Sequence, residues 1–64
     1  MTKKAIEHHK KAAEHYRQAA THHEDAALHL ENDDPGPANQ SAELANEHAD
    51  QGAEHSDKAE KERG

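Results

Sequence analysis

Eight histidines in 64 residues are the part of this sequence that could do chemistry: His8, His9, His15, His22, His23, His29, His48 and His55. They are spread through the chain and do not form a terminal tag. Neutral imidazole is a ligand for Zn, Cu and Ni, and an all-nitrogen or nitrogen/oxygen site needs no thiolate. There is no Cys, so disulfides and thiolate sites are excluded. Spacing then restricts the geometry. One helix chelates an ion through histidines three or four apart, and no two histidines here have that spacing. Histidines seven apart stand roughly 10.5 Å from each other along a helix, too far to share an ion. A site must therefore draw on two or more helices.

Those helices can be read from the repeat. From Glu7 the chain runs E-H-H-K-K-A-A, E-H-Y-R-Q-A-A, T-H-H-E-D-A-A and then L-H-L-E-N-D-D. A seven-residue repeat of good helix formers, with no Gly or Pro before Pro35, predicts one helix over about 2–32, with Thr2 as its N-cap. N-D-D-P-G-P predicts a turn at 33–36, with Gly36 permitting the bend and Asp33 or Asp34 capping the second helix. That second helix is expected over about 37–62. Its small residues step four and three apart from Ala38 through Ala42, Ala45, Ala49, Gly52 and Ser56 to Ala59, a seam that permits close approach. The fold class is all-α: a single antiparallel two-helix hairpin over 1–64.

A turn centred near Pro35 places His22 opposite His48 and His15 opposite His55, with His8 facing Glu62 and His29 facing Ser41. The metal-ligand candidates are therefore His15, His22, His48 and His55, with His8 and His29 completing the column. The residue three before each histidine is small in seven of eight cases. Helical side chains lean toward the N-terminus over that position, so the imidazoles have room to reach a partner helix. His9, Tyr16, His23 and Leu30 form a second column, expected to fill a core or dimer interface together with Ala45, Ala49 and Gly52.

Composition bounds the rest. Nineteen residues are apolar, but thirteen are Ala, and the larger ones are only Met1, Ile6, Tyr16, Leu28, Leu30 and Leu44. A lone hairpin with so thin a core is marginal, so a homodimer forming a four-helix bundle is expected. Formal charge is −6 with neutral His and would be +2 with all eight protonated. Residues 1–31 carry five basic and five acidic groups, and residues 32–64 carry three and nine. An acidic chain with one aromatic residue does not fit nucleic-acid binding. No apolar run suits a membrane span or a signal peptide, which makes a cytoplasmic protein the default expectation.

An enzyme is not expected. H-E-x-x-H is absent, no Glu or Asp stands three before a His, and Glu43, Glu47, Asp50, Glu54 and Asp57 read as a solvated face. The competing reading of the histidines is a pH-responsive or structural oligomerisation module.

The three heptads E-H-H-K-K-A-A, E-H-Y-R-Q-A-A and T-H-H-E-D-A-A, succeeded by a turn and an Ala/His helix through His55, resemble a group of very short His- and Ala-rich helical-hairpin proteins of bacteria. The resemblance covers about Glu7 to His55. It implies a helical hairpin and brings no established activity.

Overall fold

The computed structural model describes residues 2–62, so positions 1, 63 and 64 of the expected hairpin lie outside the described residues. Two helices, α1 (Lys3–Glu31) and α2 (Pro35–Glu62), lie antiparallel, and the Cα atoms span 48 × 12 × 9 Å. No strand occurs among the described residues.

Thr2 caps α1 as expected. Its Oγ1 accepts the Ala5 N–H at 3.1 Å and donates to the Glu62 carbonyl at 2.9 Å. One hydroxyl thus satisfies an orphan donor at the start of α1 and an orphan acceptor at the end of α2, closing the open end of the hairpin.

The turn is shorter than the sequence predicts, because α2 already begins at Pro35. Gly36 is not the bend. It lies in the first turn of α2, where the prolines on either side replace N–H groups that would lack partners in any case. The chain reverses at Asp33, the one non-glycine residue with positive φ among those described, at 57°. Asp34 N–H donates to the His29 carbonyl at 2.8 Å, and Asp33 N–H to that of Leu30 at 3.1 Å. These two bonds form a Schellman motif with Asp where glycine is usual. The Asp34 carbonyl then accepts from Ala38 N–H, starting α2.

Among the described residues burial is confined to one residue in seven. Ala5, Ala12, Ala19 and Ala26 are buried on α1, as are Ala38, Ala45, Gly52 and Ala59 on α2. The stripe is therefore narrower than expected and off-centre: Ala13, Ala20 and Ala27 are exposed, and Ala42, Ala49 and Ser56 are half-buried. A small residue at every contact lets two backbones approach closely, and this turns the flanking positions onto two opposite flat faces. One face carries the His8/His15/His22/His29 column, which is half-buried. The other carries His9, Tyr16, His23 and Leu30, all four exposed. Of the two places expected for this second column, a core or a dimer interface, the hairpin core does not hold it. The Tyr16 ring lies against α2: a Cβ at position 52 would stand 3.0 Å from it. Gly52 gives that ring its place.

Candidate metal centre on the histidine face

The histidines of this face stand three positions after buried small residues. Ala5, Ala12, Ala19, Ala45 and Gly52 underlie His8, His15, His22, His48 and His55. Side chains leaning back over such small neighbours can cross the groove between the helices. They do so and meet one another. His8 Nδ1 lies 3.1 Å from His55 Nδ1, and His15 Nδ1 lies 3.2 Å from His48 Nδ1.

The two pairs are joined by stacking. His8 and His55 have ring centroids 5.3 Å apart, His15 and His55 5.6 Å, His15 and His48 5.4 Å, and His22 and His48 5.4 Å. Interplanar angles are 29° and 26° within the hydrogen-bonded pairs and 6° and 7° in the other two contacts. Five imidazoles form one zigzag ladder in the order His8, His55, His15, His48, His22.

The shorter turn corrects the expected pairing. His15/His55 and His22/His48 are neighbours by stacking, while the nitrogen-to-nitrogen pairs are displaced by one heptad. His8 meets His55 and not Glu62, whose carbonyl bonds Thr2 instead. His29 is half-buried on the same column but stands past the end of the ladder, because α2 carries Ser41 and no histidine one heptad before His48. The acidic residues of α2 form the solvated face expected of them. Glu43, Glu47, Asp50, Glu54 and Asp57 are exposed, and the imidazoles meet imidazoles.

At His55 this environment favours the neutral ring. His55 is held below the usual histidine range, first by desolvation in the groove, then by repulsion from His8, Lys58, His15 and Lys11. In a neutral pair, one ring donates Nδ1–H to the bare Nδ1 of the other. The same two nitrogens can hold one cation between them. At Zn–N distances of about 2.0–2.1 Å, nitrogens 3.1–3.2 Å apart subtend roughly 100° at the ion, between the square-planar and tetrahedral angles. Among the described residues no group of three or more His, Asp or Glu is placed to hold one ion. Each pair therefore offers two protein ligands.

The chain matches no protein-family model, no curated protein and no solved structure.

Proposed function

We propose that this hairpin binds divalent transition metal ions, Zn, Cu or Ni, through His8 with His55 and His15 with His48. The observation that carries the reading is the Nδ1···Nδ1 separation of 3.1 and 3.2 Å, repeated in two pairs one heptad apart. Both pairs cross between helices, so an ion would fasten α1 to α2 and stabilise the folded hairpin by mass action. Water would complete the coordination sphere. Sites with two protein ligands exchange their ions readily, which suits buffering or storage better than a permanent structural role. His22 is stacked on His48 and would have to move to join the second pair as a further ligand. His29 lies beyond the ladder and has a lesser part. On this reading the protein is a cytoplasmic homodimer, a four-helix bundle, with no enzymatic activity. No helix among the described residues is long and apolar enough to cross a membrane.

The test is calorimetric titration of metal-stripped protein with Zn, Ni and Cu(II), on wild type, His15→Ala and His8→Ala. Two ions per chain are expected for wild type and one for each variant. Equal uptake by all three proteins would contradict the assignment.

A second reading rests on the same pairs. Each can share one proton between its Nδ1 atoms but not two, so acid would force like charges together and loosen the hairpin. Acid sensitivity that persists unchanged with metal bound would favour it.

A further inference from the structure

The face opposite the histidine ladder is almost free of charge. Charged residues are 34% of the sequence, yet among the described residues of the columns that form this face only Glu60 is charged. On α1 the face is bulky. Ile6, Tyr16 and Leu30 project from it at 43%, 44% and 60% exposure, with His9 and His23 between them. On α2 it is shallow, built from Ala42, Ala49, Ala53 and Ser56, with Asn39 and Asn46 in the same column as Ala53. Meanwhile the buried core of the described hairpin contains only Ala and Gly, with no large side chain fully buried.

We infer that a second copy of this chain docks on this face, with α1 of each copy seated over α2 of the other; this rests on the homodimer of the proposed function and names its surface and orientation. Three features select that occupant. A two-fold axis parallel to the helices sets the bulky column of one copy on the shallow column of the next, so the face is complementary to itself. The same axis puts the acidic α2 helices, nine acidic against three basic groups in residues 32–64, on the diagonal of the bundle and not side by side. The area also suffices. A face 48 Å long and two close-packed helices wide, roughly 18 Å, offers on the order of 800 Å² per copy, the size of a stable interface. The resulting bundle has every neighbouring helix antiparallel. Its two histidine ladders lie on opposite outer faces, open to water and to metal. Ala45 and Gly52, expected in a core or a dimer interface, are used in the core of the hairpin.

The experiment is sedimentation equilibrium of the full chain with EDTA present throughout, so the outcome does not depend on metal. Wild type is expected at twice the 7.1 kDa chain mass. Ala20→Glu places a charge at the middle of the face, at a position exposed within the hairpin, and is expected at the single-chain mass. Gln18→Glu adds the same charge away from this face and is expected to remain dimeric. Asn46 is nearly level with Ala20 across the proposed contact, so an equimolar mixture of Ala20→Glu and Asn46→Lys is expected to recover the dimer. That recovery separates loss of contact from loss of folding. Wild type at single-chain mass while helical, an Ala20→Glu dimer, dissociation by Gln18→Glu, or no recovery in the mixture would each overturn the inference. Failure of metal binding with these masses as expected would count against the metal pairs and not against the dimer.

Discussion

At the residue scale the decisive groups are five imidazoles over a groove of small residues, with Nδ1 atoms of opposite helices in contact. The lowered pKa of His55 has a definite consequence for stability. Its folded value lies below its unfolded value of about 6.5, so the unfolded chain takes up the proton first as pH falls. Stability is therefore greatest above about 6.5 and declines as pH drops through the window beneath it. Thermal unfolding measured by circular dichroism from pH 7.5 to about pH 5 is expected to show this decline, and His55→Gln to flatten it. A midpoint that rises on acidification would contradict the lowered value of His55. Gly52 makes a second residue-scale prediction. Alanine there gains about 1 kcal/mol of helix propensity but meets the Tyr16 ring at 3.0 Å. Gly52→Ala is expected to show its full gain only in a Tyr16→Ala background and a visibly smaller one in wild type, a coupling measured by the double-mutant cycle.

At the scale of elements the two ends of the hairpin carry specific interactions. Asp33 holds φ at 57°, a conformation that favours glycine. Asp33→Gly is expected to stabilise by roughly 0.5–1 kcal/mol, read as a higher denaturant midpoint with unchanged slope. Thr2→Ala removes both the cap and the bond to the Glu62 carbonyl and is expected to cost about 1 kcal/mol. The heptad repeat makes both helices and the N-cap legible, because periodicity and capping are local properties. The point of reversal is less so. An aspartate in the left-handed region satisfies the turn as a glycine would, and nothing in N-D-D-P-G-P says which residue takes it. That difference of a few residues at the turn moves the nitrogen pairs by a heptad. The histidine column itself survives the change, because a ladder repeating every seven residues on both helices re-pairs after such a shift. His9 and His23 lie outside the hairpin core for a different reason: with small residues at the seam the helices approach so closely that only one column per helix is buried.

At the scale of the molecule the hairpin is a two-sided slab, with the histidine ladder on one face and a nearly uncharged surface, bulky on α1 and shallow on α2, on the other. The first face holds the proposed metal pairs and the second the proposed partner copy, so the two properties are separable by mutation. The most direct measurement of the central claim is thermal unfolding of metal-stripped protein near pH 7.5, with and without Zn, Ni or Cu(II). The proteins compared are wild type and the double variant His15→Ala/His55→Ala, which removes one ligand from each pair. With free metal at about 100 times Kd, stabilisation is about 2.7 kcal/mol for each occupied pair, a rise on the order of 10 °C or more per pair for a domain of this size. That rise is expected for wild type with at least one of the three metals, and none for the double variant. A folded wild type whose midpoint is unmoved by all three, or a double variant that responds as wild type does, would contradict the metal-binding assignment.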